Sequence, residues 1–292
     1  MASHRSFIPS FLSLVTLVVA QQCTLQFDGR VPSDFVAATF DTAANTMFNP
    51  DFTFGANLSI SDVVEVPCVT SSLFDAKNAT KAVEVTIDDK SIFTPSADNV
   101  QLGFRRAELM ITSNDGTDDS TLGVKTTHFS IMKDAARPLN MSHEYQLFFL
   151  ESADFSTNQV VLKTGSIIGA DTPNPDTLQL FGNVNSSPLQ TLFSTNFTEG
   201  VFHNFAVTLD FDKNTTQVFY SQDSSALEAQ TEPLANDVSG QGQYHFGVLK
   251  KGIGGDVDIT RLAFQPAGID EGIIYGGIFQ EDSADGCISL SA

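Results

Sequence analysis

The sequence predicts an all-β protein, a β-jelly-roll sandwich with a concave cleft and few or no helices. Short apolar or alternating runs rich in Val, Ile, Thr and Phe are separated by clusters of Asn, Asp, Gly, Ser and Pro. Many short strands at this spacing are typical of a sandwich or a barrel. No segment of the sequence sustains a helical period, and a jelly roll suits the length of the chain.

The strand pattern recurs along the chain after the first twenty residues. It covers residues 82–87, 103–110, 123–133, 144–150, 160–163, 177–181, 205–211, 216–220, 244–249 and 258–264. No linker, low-complexity tract or internal repeat interrupts this pattern in the sequence. We therefore expect a single domain over residues 21–292.

Residues 1–20 have the pattern of a secretory signal peptide. His4 and Arg5 form a weakly basic start, residues 11–19 form a short apolar core, and Val18-Val-Ala20 suits signal peptidase. The apolar run is too short to span a bilayer. We therefore expect a secreted, extracellular protein that is not held in a membrane.

The asparagine sequons and the cysteines fit an exported chain. In the secretory pathway six Asn-X-Ser/Thr sequons can accept glycans, namely those of Asn57, Asn78, Asn140, Asn185, Asn196 and Asn214. Three cysteines follow the signal, and an oxidising compartment favours pairing of two. We prefer Cys23 with Cys287, because the termini of a domain often lie close together. Cys23 with Cys68 is the alternative.

The net charge of −20 restricts the partners of the chain. So acidic a protein is not expected to bind nucleic acid or an anionic membrane. A neutral or cationic target fits the charge, and we expect a monomer. The widely spaced cysteines and scattered histidines lack the spacing of a zinc site, so we expect no metal and no cofactor. A structural calcium site built from scattered carbonyl and carboxylate oxygens stays open.

The segment 103–110 carries a paired cation and carboxylate. In a β-strand the side chains alternate, so Arg106 and Glu108 share one face while Ala107 and Leu109 share the other. A carboxylate beside an arginine stays ionised. By itself the pair fits either a structural ion pair or part of a polar binding cleft.

The same alternation gives several later strands a distinctive polar face. Its members are His128, Ser130, Glu144, Gln146, Phe148, Gln179, Gln243 and His245. A merely solvated face is usually rich in Lys, Glu, Thr and Ser. Gln, His, Arg and Glu instead pair with hydroxyls, and aromatic rings stack on sugars. We therefore favour a carbohydrate cleft. The chain has no tryptophan, so stacking would involve Phe148, Phe181, Tyr244 or Tyr275.

Paired glutamates in such a cleft suit glycoside hydrolysis, which needs one protonated and one ionised carboxyl group. Arg106 should keep Glu108 ionised. The pKa of Glu144 is expected to be raised, since its neighbours are a neutral amide and a ring. Glu151 is the second choice for the partner acid, because a β-bulge would bring it from the core side into the cleft.

Longer motifs carry a resemblance to a known family. They are Cys23-Thr-Leu-Gln-Phe-Asp-Gly-Arg30, Gly103-Phe-Arg-Arg-Ala-Glu-Leu109, Ser142-His-Glu-Tyr-Gln-Leu147, Val238-Ser-Gly-Gln-Gly-Gln-Tyr-His-Phe-Gly-Val-Leu-Lys250, Gly268-Ile-Asp-Glu-Gly-Ile-Ile-Tyr-Gly-Gly-Ile-Phe279 and Asp285-Gly-Cys287. In this order they resemble fungal glycoside hydrolase family 131. The resemblance spans nearly the whole chain after the signal.

That resemblance implies a secreted β-jelly-roll β-glucanase that cleaves β-1,3-, β-1,6- and β-1,4-linked glucans of cell walls or cellulose. By position it implies that Glu108 is catalytic and that Arg106 and His128 flank it. Either Glu144 or Glu151 would be the partner carboxyl group. Substrate contacts would come from Arg106, His128, Gln146, Gln179, His245 and Tyr275.

Two other functions stay open at this point. A jelly-roll polysaccharide lyase would use Arg106 to neutralise a uronate and His128 or a tyrosine as base. A lectin-like module would bind glucan without cleaving it. Linkage preference, exo or endo action and the stereochemical course are also open, with inversion favoured.

Overall fold

The computed structural model of the chain describes residues 23–42, 47–50, 55–114, 116–255 and 257–292. Over these residues the fold is almost entirely β. Its helical part is one short α-helix, α1 (Ile60–Val63), and two 3-10 turns, Ala37–Asp41 and Asp119–Thr121. The sequon of Asn57 is within the described part of the chain, whereas the predicted signal peptide lies outside it.

The strands are numbered in chain order. They are β1 (Leu25–Asp28), β2 (Val31–Pro32), β3 (Val64–Glu65), β4 (Thr80–Lys81), β5 (Val83–Asp88), β6 (Phe104–Met110), β7 (Val124–Lys133), β8 (Glu144–Glu151), β9 (Asn158–Gly165), β10 (Thr177–Phe181), β11 (Thr191–Asn196), β12 (His203–Asp210), β13 (Thr215–Gln222), β14 (Glu228–Ala229), β15 (Leu234–Ala235), β16 (Gln243–Lys251) and β17 (Asp270–Asp282).

Two antiparallel sheets form a sandwich of the jelly-roll type. The larger sheet has the order β14-β13-β12-β7-β17-β5-β3, with β1 beside β17 and β15 beside β13. The smaller sheet has the order β11-β10-β9-β8-β16-β6, and β2 pairs with β4 alone. The all-β sandwich predicted from the sequence is confirmed.

The core lies between the inner faces of the two sheets. The ring of Phe129 in β7 stacks on Phe148 in β8 with ring centroids 4.4 Å apart, and on Phe205 in β12 at 5.2 Å. Ala107 and Leu109 of β6 are buried in the same cluster, as the alternation predicts. With this side of β6 in the core, Arg106 and Glu108 must lie on the other face.

The alternation breaks once along β8. The register of β8 against β9 shifts between Gln146 and Phe148, so that Leu147 and Phe148 both pack into the core. Beyond this bulge the parity is inverted, and Phe149 and Glu151 lie on the outer face of the smaller sheet. The expectation that Phe148 faces a cleft is therefore wrong. Glu151 lies on the outer face, as the predicted bulge would place it, but the bulge that inverts the parity is at residues 147–148 rather than at Glu151 itself.

Two elements differ from the sequence pattern. Residues 258–264 are mainly turns, and only Phe264 forms a bridge, to Ile253. The long strand β17 is not predicted, because its sequence lacks the alternation of apolar and polar residues that identifies a half-exposed strand. Both faces of β17 are buried, so neither face needs to be polar.

The two ends of the domain are joined by the disulfide between Cys23 and Cys287, which is the preferred pairing. Cys68 is an exposed free thiol. Among the sequon asparagines Asn214 is half-buried, and the exposed ones are Asn57, Asn78, Asn140, Asn185 and Asn196. No helix in the described residues is long and apolar enough to cross a membrane.

Candidate active site

The outer face of the smaller sheet is called the cleft face below. It consists of the polar and apolar side chains that alternate along each strand with the core-facing side chains. Its members are Phe104, Arg106, Glu108, Glu144, Gln146, Phe149, Glu151, Val161, Lys163, Gln179, Phe181, His245, Leu249 and Lys251. A connected apolar cluster on this face includes Phe149, Val161, Phe181 and Leu249, with Phe104 packed against it.

Glu108 is held by Arg106 of its own strand, β6, and by His245 of the neighbouring strand, β16. Arg106 donates from Nε and Nη2 to the two oxygens of Glu108, at 2.8 and 2.6 Å. Nδ1 of His245 lies 2.8 Å from Oε2 of the same carboxylate. Burial alone would raise the pKa of Glu108, but the charge of Arg106 and the His245 contact outweigh it and lower the pKa. Glu108 is therefore ionised.

His245 also reaches the carboxyl group of Glu151 on the neighbouring strand. Its Nε2 lies 3.5 Å from Oε2 of Glu151, and its ring stacks on Phe149 at 4.2 Å. Burial would lower the pKa of His245, yet contacts with Glu108 and Glu151 raise it above its usual value. The imidazole is thus hydrogen-bonded to Glu108 and within ion-pair distance of Glu151, and it is biased toward the protonated form.

The two carboxyl groups differ in their access to solvent. The side chain of Glu151 is 27% exposed, whereas that of Glu108 has no exposed surface. The end of β8 is fixed by Gly242, which has φ +114° and where a Cβ would lie 1.8 Å from the carbonyl oxygen of Glu151. Only glycine allows the chain to pass so close.

An imidazole between two carboxyl groups can carry a proton from one to the other. Here Nδ1 of His245 is hydrogen-bonded to Glu108 at 2.8 Å, whereas Nε2 lies 3.5 Å from Glu151, which is an ion-pair distance.

Glu144 is in a different environment from the one predicted. Its Oε1 lies 3.0 Å from Nζ of Lys163 and 2.8 Å from Nζ of Lys251, and its Oε2 accepts the N–H of Ile168 at 2.8 Å. Burial would raise the pKa of Glu144, but the two ammonium groups lower it. The expectation of a raised pKa is wrong, because the lysines come from strands whose pairing the sequence does not reveal.

Gln146 and Gln179 lie on the cleft face, as predicted. Oε1 of Gln146 accepts a hydrogen bond from Asn158 at 3.0 Å. Gln179 is half-buried and pairs in register with Lys163. Both amides therefore lie on the same face of the sheet as Arg106.

His128 does not flank Glu108, so that prediction is wrong. It lies in β7 of the larger sheet, on the face turned away from the core, with Nε2 2.9 Å from Oε2 of Glu281. Its ring is buried between Phe279, stacked at 4.3 Å, and Phe74. Burial lowers the pKa of His128. Alternation assigns a residue to a face of its strand, but it does not say to which sheet the strand belongs.

Tyr275 is also wrongly predicted as a ligand contact. It is fully buried in the core between the sheets, where its hydroxyl lies 2.7 Å from the carbonyl oxygens of Leu147 and Gly247. A ring enclosed between the two sheets cannot stack on a sugar at the outer face. It braces the backbone of β8 and β16 from beneath.

Sequence reasoning missed Phe149, Lys163, Leu249 and Lys251 as members of the cleft face. Phe149 can be assigned to the cleft face from the sequence only if the position of the bulge in β8 is known. In the described parts of the chain, no group of three or more His, Cys, Asp or Glu side chains is arranged to hold a metal ion.

Comparisons with known proteins identify the family. A family model described as the glycoside hydrolase 131 catalytic N-terminal domain matches residues 25–286. The fold is similar to the crystal structure of a GH131 β-glucanase catalytic domain from Podospora anserina, with TM-score 0.69 and 21% identity, covering 92% of this chain and 98% of that one. A GH131 catalytic domain from Coprinopsis cinerea has TM-score 0.66 and 19% identity, at the same coverages of 92% and 98%.

A search of curated proteins found no match. At these identities the two crystal structures establish the fold, and the family match covers most of the sequence. The chain belongs to glycoside hydrolase family 131 and is a glycoside hydrolase.

Proposed function

We propose that this enzyme is a secreted β-glucanase that hydrolyses β-1,3-, β-1,6- or β-1,4-glucosidic bonds of cell-wall glucan or cellulose. Membership of the family supports glycoside hydrolysis, and the Podospora anserina relative is itself described as a β-glucanase. The observation that carries the proposal is the contact of one imidazole, His245, with both Glu108 and Glu151.

In the proposed reaction Glu151 is the general acid and Glu108 the general base. Glu151 gives its proton to the glycosidic oxygen as the bond from that oxygen to the anomeric carbon breaks. A water attacks the anomeric carbon from the other side and its proton passes to Glu108. The proton returns from Glu108 to Glu151 through His245, which restores the enzyme.

The surrounding side chains suit a neutral sugar polymer. Gln146 and Gln179 place amides on the cleft face, where they suit hydroxyl groups. Phe149 and Phe181, which are 2% and 6% exposed, belong to the buried apolar cluster of this face and offer little surface to a pyranose ring. Arg106 keeps Glu108 ionised through two hydrogen bonds. It is therefore a positioning residue in this proposal.

The same contacts argue against a polysaccharide lyase. The Glu108 carboxylate occupies Nε and Nη2 of Arg106, and His128 lies on the other sheet. Neither is placed to neutralise a uronate or take its proton. A lectin-like module would have no need of a proton bridge between two carboxyl groups.

Secretion is supported by three independent features. The first twenty residues have the pattern of a signal peptide, and five of the sequon asparagines are exposed. The bond between Cys23 and Cys287 suits an oxidising compartment. Expression of the full chain in a secreting host, followed by N-terminal sequencing of the mature protein, should give a start near Gln21.

Reducing-sugar release from laminarin, pustulan, lichenan and carboxymethyl cellulose tests the substrate. We expect hydrolysis of at least one of the four by purified protein, and loss of hydrolysis in Glu151→Gln. No release from any polymer would overturn the β-glucanase assignment. Bound but uncleaved polymer would point to the lectin-like alternative.

A further inference from the structure

The loop that follows β16 presents a cluster of exposed apolar side chains beside the cleft face. Ile253, Leu262 and Phe264 are 49%, 71% and 65% exposed, and Leu102 in the adjoining loop is 53% exposed. The other exposed large apolar residues among those described are mostly scattered singly along the chain. A cluster of this kind on a secreted enzyme usually marks a contact surface.

Hydrogen bonds hold these side chains on a supported platform. Ile253 and Phe264 exchange both backbone hydrogen bonds, at 2.9 and 2.8 Å, as a directly opposed antiparallel pair. The carbonyl of Gly103 accepts from the N–H of Gly252 at 2.8 Å and from the amide of Gln265 at 2.9 Å. Opposed residues of an antiparallel pair project to the same side, so Ile253 and Phe264 form one surface.

Strand parity shows which side this is. Along β16 the side chains of His245, Leu249 and Lys251 lie on the cleft face, with the intervening residues in the core. The alternation carries Ile253 to that same side. On β6, Phe104 packs against the apolar cluster of the cleft face and follows Leu102 by two residues. The platform therefore lies past the ends of β6 and β16, on the side of the sheet that carries His245 and the buried apolar cluster.

The distance between His245 and Ile253 limits which ligands can contact both residues at once. His245 and Ile253 are eight residues apart, which at about 3.3 Å per residue corresponds to roughly 26 Å. A short oligosaccharide at His245 does not extend that far, whereas a polymer chain does. The net charge of −20 disfavours a second copy of the chain and an anionic membrane as occupants. A neutral polysaccharide has no such repulsion.

We propose that Leu102, Ile253, Leu262 and Phe264 form an accessory binding platform for the distal part of a neutral glucan chain whose cleaved bond lies at His245. This proposal rests on the proposed β-glucanase function. It makes the enzyme sensitive to substrate length through residues that do not take part in the chemistry.

The test compares Phe264→Ala with wild type on two substrates of one linkage. One is the polymer that wild type hydrolyses, and the other is the trisaccharide of the same linkage. We expect KM for the polymer to rise roughly three- to tenfold, in line with the loss of one aromatic contact, with kcat unchanged and both constants unchanged for the trisaccharide. Phe264→Tyr should behave as wild type.

Leu290→Ala is the matched control. Leu290 is 41% exposed, and its carbonyl accepts from Leu227 beside β14 at the far edge of the larger sheet. It should change neither KM. An unchanged polymer KM in Phe264→Ala would overturn the proposal, as would an equal loss on polymer and trisaccharide. A wild-type dimer on size-exclusion chromatography that Phe264→Ala dissolves would overturn it too, in favour of a second copy.

Gel retardation separates failure of the platform from failure of the function. Native gels containing each of the four polymers are run with Glu108→Gln and with Glu108→Gln/Phe264→Ala. We expect at least one polymer to retard the first protein more strongly than the second. If wild type cleaves none of the polymers, the β-glucanase assignment fails, while equal retardation in these gels removes the platform.

Discussion

His245 is the side chain at which the candidate site is assembled. One ring nitrogen contacts Glu108 from β6 and the other contacts Glu151 from β8. Glu144 lies on the same strand and face as Glu151, yet two lysines surround it instead of an imidazole. Glu144 and Glu151 therefore differ in their expected roles, because the neighbouring side chains determine whether a proton can be delivered to each carboxyl group.

The contrast between Glu151 and Glu144 is directly measurable. Glu151→Gln removes the acid and should lower kcat by about a hundredfold or more, with little change in melting temperature. Glu144→Gln should lower the melting temperature, because Lys163 and Lys251 lose their counter-charge, while activity per folded molecule is retained. The reverse pattern would make Glu144 the partner of Glu108 and Glu151 a bystander.

The proton bridge predicts an alkaline limit to activity that depends on His245. Contacts with Glu108 and Glu151 raise the pKa of His245 above the ordinary 6.5. If the protonated ring supplies Glu151, kcat/KM should fall as pH rises through that raised pKa. The stabilising effect of the protonated ring should also be present below pH 6.5 and lost over the same rise.

His245→Asn provides the check on this limit. It should lower kcat/KM at every pH and abolish the alkaline limb that titrates with the ring. A His245→Asn profile that kept the wild-type limb at reduced height would show that another group sets it.

At the level of single elements, β8 shows what a sequence can and cannot predict. Alternation correctly puts Arg106 and Glu108 opposite Ala107 and Leu109 in β6, because that strand is regular. In β8 the bulge reverses the parity halfway along. Phe148 enters the core, and Phe149 takes the position beside His245. A bulge leaves no residue signature here, so the period of two fails after it.

Strand pairing is the second part that alternation cannot supply. His128 has the same sequence pattern as His245, but β7 belongs to the larger sheet. The lysines around Glu144 likewise come from β9 and β16. The position of His128 and of these lysines depends on which strands pair and in which register. The local alternation of residues in a single sequence does not reveal that pairing.

β16 also carries a buried cation that ties the two sheets together. Nζ of Lys250 lies 2.5 Å from Oε1 of Glu271 in β17, and the hydroxyl of Tyr145 in β8 donates to Oε2 of the same carboxylate at 2.6 Å. Lys250 and Glu271 are both buried. The group therefore forms a polar link across an otherwise apolar core.

Removing one partner of this link should be costly. Lys250→Met leaves the Glu271 carboxylate buried without a cation and should destabilise the fold by roughly 3–5 kcal/mol in denaturant unfolding. Lys250→Met/Glu271→Gln removes the orphan charge, keeps an acceptor for Tyr145, and should recover most of the loss. If the double variant were no more stable than the single one, the pair would not be the source of the loss.

On the scale of the whole molecule, the two outer faces of the sandwich differ in kind. The outer face of the smaller sheet carries the candidate site, whereas the outer face of the larger sheet carries an acidic network. There Arg137 contacts Glu65 at 2.8 Å, Glu84 at 2.9 Å, Asp270 at 3.2 Å and Asp134 at 3.6 Å. One guanidinium is thus shared by four carboxyl groups.

This network predicts how the stability of the molecule varies with pH. Burial, and then Asp134, raise the pKa of Glu84 to about 7 from 4.5. Between these values the unfolded chain loses a proton that the folded chain keeps, so the free energy of unfolding should fall as pH rises through this window. Glu84→Gln should raise the melting temperature at pH 8 and change it little near pH 4. An equal shift at both pH values would contradict this origin.

The most direct test of the account is the turnover of Glu108→Gln per folded molecule on the β-glucan that wild type cleaves. The substitution leaves the core side of β6 untouched, so the protein should fold. If Glu108 is the base, turnover should drop by about a hundredfold or more, a loss far greater than any unfolded fraction explains. A variant that melts earlier yet keeps nearly full turnover per folded molecule would contradict the account, because Glu108 would then only brace Arg106 and His245.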